Sequence, residues 1–310
     1  MSGKGVSVAL TLEQAIARVP FLAHAREIKA TLLVGGITNL NYRIDYDGKS
    51  CVLRITGSDT ELLGIRRDVE YAANLAAGQL GVAPEVLFFV EPEGYLVTRF
   101  IGGSNVPPEE MVKAYHIQRV AAKIRSFHKG APPLGAEFNV FRRVEMLTAV
   151  CRRNNCTFPS NFDWIQQKMS EVEAALMGDP YRPSPCHNDL LNLNFLDDHG
   201  DLRILDWEYA GMGDVFFDLS NFSHHHRFTD DQVETLLLSY FGEVRPSLFA
   251  RLKLMWPMSE IHEAMWGTTQ TGISRLDVDF QGYADLWFGR ASKALQDPRY
   301  EQWLEQVVAG

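Results

Sequence analysis

The residues with the clearest chemical potential lie in one short segment, where polar side chains interrupt apolar runs. The segment has the form H-x-D-x-x-x-x-N, with His187, Asp189 and Asn194 at its fixed positions, and Asp206 follows twelve residues after the asparagine. Phosphoryl transfer needs a carboxylate that orients the attacking hydroxyl and accepts its proton, together with hard oxygen ligands for Mg²⁺. We therefore interpret Asp189 as the base, Asn194 and Asp206 as metal ligands, and His187 as a support for the loop.

Two other interpretations fit part of this pattern. The turn at residues 197–200 is typical of a plain surface hairpin, but such a hairpin does not explain polar residues at both strand ends within apolar runs. A metal-dependent hydrolase that uses His187, Asp189 and Asp206 fits the residue types. It leaves the nucleotide-binding candidates described below without a role.

Three stretches around this segment resemble one known family. The sequences CHNDLLNLNFL at 186–196 and ILDWEYAG at 204–211 are similar to the choline/ethanolamine kinase branch of the aminoglycoside-phosphotransferase-like kinases, and the likeness continues through FFDLSNF at 216–222. The resemblance implies a protein-kinase-like fold, ATP and Mg²⁺ as cofactors, and a small cationic amino-alcohol as phosphate acceptor. It also implies that Asp218 braces the catalytic loop. A simple charge at a helix N-terminus is a second, compatible interpretation of that aspartate.

A glycine-containing segment between two predicted strands is a candidate phosphate-binding loop. Gly35 and Gly36 are followed by Thr38 and Asn39. Glycines let backbone N–H groups approach a phosphate closely, and the threonine and asparagine side chains add hydrogen-bond donors. An ordinary β-turn is the alternative interpretation.

The resemblance assigns further nucleotide-binding residues. Arg54, on the predicted strand Ser50–Ile55, occupies the position where protein kinases carry a phosphate-contacting lysine and choline-kinase-like sequences carry arginine. Glu70 lies on the next predicted helix and is expected to pair with Arg54, with a solvated helix face as the alternative. Arg99 and Ile101 directly precede a hinge, and by resemblance the backbone there hydrogen-bonds adenine.

Aromatic faces with a nearby carboxylate are suited to hold an ammonium group. By resemblance, Trp266 and Tyr283 occupy positions in the acceptor pocket, and Trp207 and Tyr209 are expected to add walls. Eukaryotic choline kinases carry a second tryptophan where this chain has Glu263. Because a carboxylate suits a hydrogen-bonding primary ammonium as well as a methylated one, we expect choline to be preferred only modestly over ethanolamine. Core packing at helical spacing is the alternative for the aromatic residues.

Rival functions remain open within and outside this family. A thiamine, homoserine or aminoglycoside kinase would share the catalytic loop, because the loop contacts the phosphate rather than the acceptor. A non-catalytic nucleotide-binding protein would be expected to lack the base or a metal ligand. Since Asp189, Asn194 and Asp206 are all present, the sequence favours an active enzyme. The role of Glu208, as a second metal ligand or as a support, is left open.

Hydrophobic periodicity predicts the elements that position these residues. We expect an α+β, protein-kinase-like two-lobe fold, with a small antiparallel five-stranded sheet and one covering helix followed by a larger, mainly helical lobe. Asp47-Gly48 predicts a tight hairpin turn. A hinge at residues 101–106 separates a nucleotide-binding lobe at 1–101 from a catalytic and acceptor-binding lobe at 102–310. The predicted strands are Thr31–Val34, Leu40–Tyr46, Ser50–Ile55, Pro84–Phe89 and Tyr95–Phe100. The predicted helices are Thr11–Val19, Gly64–Ala77, Glu109–His128, Arg143–Cys151, Trp164–Leu176, Asp230–Phe241, Ser247–Gly267 and Asp279–Leu295.

Composition limits the classes of binding partner and the cellular compartment that we expect. With 30 basic and 39 acidic residues the chain carries a formal charge of −9, so we expect no binding to nucleic acid or to an anionic membrane. Signal-peptide and membrane-spanning patterns are absent, and four cysteines without a C-x-x-C pair indicate reduced thiols in the cytoplasm. His224-His225-His226 is interpreted as a partly exposed helix end or loop rather than a metal site.

Overall fold

The computed structural model describes residues 10–33, 39–57, 60–177 and 182–310. Gly36 and Thr38, both predicted to contact phosphate, lie outside these ranges, whereas Asn39 lies within them. A small antiparallel sheet near the N-terminus is followed by a larger, mainly helical part, which confirms the predicted α+β two-lobe class. None of the described helices combines the length and the hydrophobicity that a membrane crossing requires.

The N-terminal sheet has five antiparallel strands, and three helices accompany it. Its elements are α1 (Leu12–Ala17), α2 (Pro20–Ala23), β1 (Ile28–Leu33), β2 (Leu40–Tyr46), β3 (Lys49–Ile55), α3 (Arg67–Gln79), β4 (Val86–Val90) and β5 (Tyr95–Arg99). The strands follow the order β1-β2-β3-β5-β4. Asp47 and Gly48 have φ angles of 44° and 75°, as a tight turn between β2 and β3 requires. This turn sets the pairing that places Arg54 opposite Asn41.

Two apolar cores hold the described chain together. The smaller core lies against the sheet, where Ile44 and Leu53 pack with residues of α1 and α2. The larger core includes Val69 and Ala73 of α3, and the same helix also contacts β4. Helix α3 therefore does more than cover the sheet: it joins the sheet to the helical part and carries Glu70 at that junction.

Helices dominate the rest of the chain, with two short sheets among them. The elements are β6 (Ser104–Asn105), α4 (Pro108–Met111), α5 (Ala114–Gly130), α6 (Val140–Arg153), α7 (Phe162–Met177), β7 (Ser184–Cys186), β8 (Phe195–Asp198), β9 (Asp201–Ile204), β10 (Gly211–Gly213), α8 (Val215–His225), α9 (Asp230–Phe241), α10 (Pro246–Ile273), α11 (Phe280–Leu295) and α12 (Tyr300–Ala309). β6, β8 and β9 form one antiparallel sheet, and β10 pairs with β7. The helix predicted over Glu109–His128 is divided between α4 and α5, because the backbone at Lys113 is extended. The predicted lobe boundary at residue 101 stays a prediction.

The three consecutive histidines lie at the C-terminal end of α8, as predicted, but the prediction that they are partly exposed holds only for His225. His224 and His226 are buried and His225 is half-buried. The ring of His224 lies 5.1 Å from that of Trp287 on α11, and its Nε2 lies 3.0 Å from the Ser259 hydroxyl on α10. Helices α10 and α11 cover this end of α8, a contact that local sequence does not indicate.

Candidate active site

His187 ties the loop between β7 and β8 to the chain that precedes Asp206. Its Nδ1 accepts a hydrogen bond from the Asp189 N–H at 3.1 Å, so Nε2 carries the proton and donates to the Leu205 carbonyl at 2.8 Å. Burial lowers the pKa of His187, which keeps the ring neutral, as these two bonds require. The histidine thus supports both carboxylate-bearing segments from within the core.

Asp218 holds the same loop from the first turn of α8. Its Oδ2 accepts the His187 N–H at 2.8 Å, and its Oδ1 accepts the Asn188 N–H at 2.6 Å. The ring of His128 also contacts Oδ2 at 2.8 Å. Burial alone would raise the pKa of Asp218, but the contacts with His128 and His187 outweigh burial and lower it. A charged carboxylate therefore keeps Asn188 in its left-handed conformation, with φ of 66°.

Asp189 and Asn194 contact each other within the loop. Asn194 Nδ2 donates to the Asp189 main-chain carbonyl at 2.8 Å and lies 3.5 Å from Oδ2 of the same residue. The amide nitrogen is therefore on the Asp189 side, and the amide oxygen is the atom that a metal ion would use. Burial raises the pKa of Asp189 well above its ordinary value, as does the negative charge of Glu263. The charges of Asp206 and Glu208 act in the same direction.

Arg54 lies at the centre of a buried group of charges where the sheet meets the helical part. Its Nη1 lies 3.0 Å from the Glu70 carboxylate, and its Nη2 lies 2.7 Å from Asp206 and 3.0 Å from Glu208. The expected Arg54–Glu70 pair is thus present, and the same guanidinium reaches the predicted metal aspartate. Arg67 adds a second cation that contacts both Glu70 and Glu208. Arg67 was not predicted, although its spacing of three residues from Glu70 on one helix is a usable signal.

Asn39, at the edge of the glycine segment, is buried against the same group of charges. Its Nδ2 donates to Glu208 at 3.0 Å, and its Oδ1 accepts the Gly57 N–H at 3.4 Å. The side chain also lines the smaller of the two cavities described next. It lies close enough to the predicted metal and phosphate region to serve there, while it also supports Glu208.

A cleft of about 420 Å³ lies between the sheet and the loop that carries Asn194. Its lining includes Val52, Arg54, Leu96, Thr98, Arg99, Phe100, Ile101, Leu193, Asn194 and Asp206. The N–H of Arg99 donates to the Glu85 carbonyl at 2.8 Å, and its side chain pairs with the exposed Glu85 carboxylate. The N–H donor of Arg99 is therefore already used beside the sheet, whereas the predicted contact of the Arg99 backbone with adenine stays a prediction. Ile101 follows the end of β5 and stays a candidate for that contact.

A smaller cavity of about 180 Å³ adjoins the cleft and contains the expected acceptor residues. Glu263, Trp266 and Tyr283 line it from α10 and α11, and Tyr209 lines it together with Asp189. The ring centroids of Trp266 and Tyr283 are 5.6 Å apart, with an angle of 69° between the ring planes. The cavity thus combines aromatic faces with carboxylates, which is the composition that binds an organic cation.

Glu263 supplies a fixed negative charge to this pocket. Burial would raise the pKa of Glu263, but the nearby His225 and the Tyr283 hydroxyl outweigh burial, and the pKa is lowered. His225 Nε2 lies 3.5 Å from Oε1, and Tyr283 donates its hydroxyl to Oε2 at 2.6 Å. The carboxylate is therefore ionised in a mostly buried pocket, where its attraction for a cation is only weakly screened.

Trp207 does not line the acceptor pocket, so its assignment as a wall was wrong. The indole is 1% exposed and lies 4.3 Å from the ring of Phe127 and 4.5 Å from the ring of His187, measured between centroids. Its Nε1–H donates to the Ile204 carbonyl at 3.0 Å. Because the backbone at Asp206 is left-handed, with φ of 64°, the direction of the next side chain cannot be inferred from strand alternation.

Asn194 and Asp206 line both cavities, so their side chains stand where the two cavities meet. Carboxylate and amide oxygens are the ligand types that Mg²⁺ takes in proteins. The Asp206 side chain is 35% exposed, and the Arg54 guanidinium binds its carboxylate at 2.7 Å, which shows that a cation is stabilised at this position. The residues present therefore fit a magnesium ion.

His262 is a lining residue of the acceptor pocket that was not predicted from the sequence. It directly precedes Glu263 on α10, and neighbouring residues on a helix point about 100° apart. The packing of α10 against α8, the helix that braces the catalytic loop, brings both side chains to the cavity that Asp189 also lines.

Comparison with known proteins shows what this chain resembles. The family model described as choline/ethanolamine kinase matches residues 30–233. The crystal structure of a choline/ethanolamine kinase family protein from Mesorhizobium loti aligns with a TM-score of 0.83 and 31% identity, and the alignment covers 95% of this chain and 97% of that one.

Two curated relatives are more distant in sequence. Ethanolamine kinase 2 of Rattus norvegicus is 23% identical over an alignment of 303 residues, which covers 86% of this chain and 76% of that protein. Protein LicA of Haemophilus influenzae is 25% identical over 213 residues, which covers 68% of this chain and 62% of that protein. The matched part thus spans less than two thirds of the LicA protein.

Proposed function

The chain belongs to the choline/ethanolamine kinase family, and we propose that it transfers the γ-phosphate of ATP to the hydroxyl of a small, positively charged amino-alcohol. Members of this family are phosphotransferases that act on an alcohol group. The observation that carries the proposal is the junction of two cavities, where Asn194 and Asp206 line both and Asp189 lines the smaller one. Phosphoryl transfer depends mainly on such positioning and on neutralised charge.

Asp189 is the catalytic base of this proposal. It orients the acceptor hydroxyl and takes up its proton as the phosphoryl group is transferred. Its raised pKa makes the ionised carboxylate a stronger proton acceptor. An acceptor ammonium group beside Glu263 adds positive charge to the pocket, which favours the ionised form of Asp189 in the complex. His187 and Asn194 hold the loop in the required shape.

The nucleotide occupies the larger cleft. Mg²⁺, when bound, supplies the charge that neutralises the triphosphate, and Asp206 and Asn194 would hold it. Arg54, oriented by Glu70, would contact the phosphates, and the predicted glycine segment would add backbone N–H groups. Ile101 and the neighbouring hinge backbone would hydrogen-bond adenine.

The acceptor pocket supports a small cation. A cavity of about 180 Å³ is below the range of about 300–1,000 Å³ that drug-sized ligands fill, which favours an amino-alcohol over an aminoglycoside. The pair of Trp266 and Tyr283 supports choline, whereas the ionised Glu263 suits ethanolamine equally well. The modest preference for choline over ethanolamine is an expectation from the sequence alone, which did not include His262 among the pocket residues.

Two further expectations belong to this proposal. The four cysteines are free thiols, which supports the predicted cytoplasmic location. The formal charge of −9 supports a small cationic substrate rather than nucleic acid or an anionic membrane as partner. A non-catalytic role is disfavoured because the base and both metal-ligand candidates line connected cavities.

A magnesium-dependent assay of ADP release tests the proposal. Purified protein is incubated with ATP and, separately, with choline, ethanolamine, thiamine, homoserine and an aminoglycoside. We expect turnover with choline or ethanolamine and loss of turnover when Mg²⁺ is removed. Turnover with thiamine, homoserine or the aminoglycoside alone would replace the proposed acceptor class, and the absence of any acceptor-dependent ADP release would contradict the kinase assignment.

A further inference from the structure

His262 presents an unused polar ring to the acceptor pocket. The side chain lines the cavity together with Glu263, yet the residue is only 4% exposed. Among the described residues, neither Nδ1 nor Nε2 of this ring has a hydrogen-bond partner. A buried polar group without a partner is destabilising, so this ring is expected to be satisfied by whatever fills the pocket.

The surroundings of His262 keep the ring neutral. It packs edge-on against the aromatic rings of Phe138 and Tyr209, with centroid distances of 5.5 and 6.1 Å. Burial and the nearby Arg143 lower its pKa to about 4, and Glu263 opposes this only in part. A neutral imidazole offers one N–H donor and one lone pair, and the lone pair accepts a hydrogen bond.

We propose that His262 is a specificity residue that accepts a hydrogen bond from an N–H of the acceptor's ammonium group, beside the carboxylate of Glu263. This inference rests on the proposed function. The hydroxyl of the acceptor has a single proton, which is directed to Asp189, so it cannot also satisfy the imidazole lone pair. A primary ammonium has three N–H groups, enough to serve both Glu263 and His262. A quaternary ammonium has none, and it leaves His262 unsatisfied.

The proposal therefore orders substrates by the number of N–H groups on the nitrogen. Ethanolamine has three in its protonated form, its N-methyl and N,N-dimethyl derivatives have two and one, and choline has none. The aromatic faces of Trp266 and Tyr283 attract all four cations, so they cannot by themselves produce this order. Glu263 is the other hydrogen-bond acceptor in the pocket. Because its carboxylate attracts each cation by charge as well as by hydrogen bonding, it discriminates less among the four substrates.

Kinetics with this series of four substrates test the proposal. For the unmodified protein we expect kcat/KM to fall from ethanolamine to choline, which reverses the modest preference for choline that the sequence suggested before His262 was known to line the pocket. His262→Phe keeps an aromatic ring but removes both nitrogens, and we expect it to lower kcat/KM for ethanolamine about 10- to 100-fold while changing the value for choline less than about 3-fold. His262→Gln keeps an acceptor oxygen, and we expect it to recover part of the loss for ethanolamine.

The outcomes separate the specificity role from a structural role and from the proposed function itself. Equal loss for all four substrates in His262→Phe, without recovery in His262→Gln, would show that the ring only supports the fold. If neither variant folds, the kinetics of the unmodified protein still test the inference. A value of kcat/KM for choline equal to or above that for ethanolamine overturns it. Turnover with none of the four would instead defeat the proposed function and the inference with it.

Discussion

Asp189 shares its surroundings with three other carboxylates, those of Glu263, Asp206 and Glu208, and each of them raises its pKa. Like charges in a largely buried site destabilise the folded protein unless cations are bound. Without bound cations, the proposed base Asp189 therefore lowers the stability of the folded protein. Such a conflict between stability and local charge is typical of a site that is built for ligands.

Replacing Asp189 by Asn tests this conflict directly. We expect kcat to fall about 10²- to 10⁴-fold, because the proton acceptor is lost. We also expect the melting temperature in the absence of ligands to stay the same or rise, because one of the repelling charges is gone. Steady-state ADP release and thermal unfolding measure the two effects.

Asp198→Asn is the matched control, since Asp198 ends β8, the strand that follows the catalytic loop, and lies outside both cavities. We expect its kcat and melting temperature to remain close to those of the unmodified protein. If Asp189→Asn keeps more than about a tenth of kcat, its role as the base is excluded.

At the scale of elements, the first turn of α8 determines the shape of the catalytic loop. Asp218 accepts hydrogen bonds from two consecutive N–H groups of that loop and from His128. We expect Asp218→Asn to lower the free energy of unfolding by about 2–4 kcal/mol, because an amide replaces a buried charged acceptor of three bonds. We expect kcat to fall as well. Urea unfolding and ADP release measure these changes.

A control aspartate at the start of another helix distinguishes the hydrogen-bonding role of Asp218 from a simple charge at a helix N-terminus. Asp231 lies exposed in the first turn of α9. The loss of a favourable charge at a helix N-terminus is worth about 0.3–1 kcal/mol. If Asp218→Asn destabilises no more than Asp231→Asn, Asp218 acts only through the helix dipole and the bracing role is wrong.

The contact between β3 and α3 depends on the charges around Arg54. Arg54→Met leaves Glu70, Asp206 and Glu208 with less compensation, and we expect the free energy of unfolding to fall by about 3–5 kcal/mol. Adding Glu70→Met removes one of these three carboxylates, which in Arg54→Met keeps, among the described residues, only Arg67 as a cationic partner, so we expect the double variant to be more stable than Arg54→Met. Chemical denaturation of both variants measures the difference. A double variant less stable than the single one would show that Glu70 is sufficiently compensated by Arg67 and does not depend on Arg54.

How far the sequence predicts the site depends on whether a residue is placed by local or by distant contacts. The turn at Asp47-Gly48 is local, and it sets the hairpin register that brings Arg54 to its place. The catalytic loop is local only in part, because Asp218 on α8 braces it from outside. Within the loop itself, Asn194 binds the Asp189 carbonyl and His187 binds the Asp189 N–H. These contacts follow from short-range spacing and turn chemistry.

The remaining features depend on packing between distant segments. His262 enters the pocket, and His224 is buried, only because α10 lies against α8. Trp207 turns into the core after a left-handed residue, and no periodicity predicts that direction. The N–H of Arg99 donates to Glu85, the residue before β4, a single hydrogen bond that sequence alone does not resolve.

At the scale of the whole molecule, burial of neutral histidines links stability to pH. The pKa of His262 is lowered by burial to about 4 in the folded protein, whereas an exposed histidine has a pKa of about 6.5. As the pH falls from about 7.5 to 4, the unfolded chain takes up a proton that the folded protein excludes, so the free energy of unfolding decreases. The stabilisation linked to the neutral ring of His262 is fully present above about pH 7 and is lost by about pH 4.

His262→Gln removes this titration. Between pH 7.5 and 5 we expect its free energy of unfolding to fall by about 2 kcal/mol less than that of the unmodified protein, since each pKa unit corresponds to about 1.4 kcal/mol. Urea unfolding at the two pH values measures the difference between the slopes. Parallel slopes would show that His262 titrates normally and is not buried as a neutral ring.

The central claim is that one site joins a magnesium–nucleotide cleft to a pocket for a cationic alcohol through Asp189, Asn194 and Asp206. Phosphorus NMR of the reaction of ATP with ethanolamine or choline tests it most directly, because it identifies the product as well as the turnover. We expect a new phosphomonoester signal and ADP in equal amounts, only with Mg²⁺, and strong slowing in Asp189→Asn. The claim is contradicted if the phosphate released from ATP appears only as inorganic phosphate, or if the ester forms equally fast without Asp189.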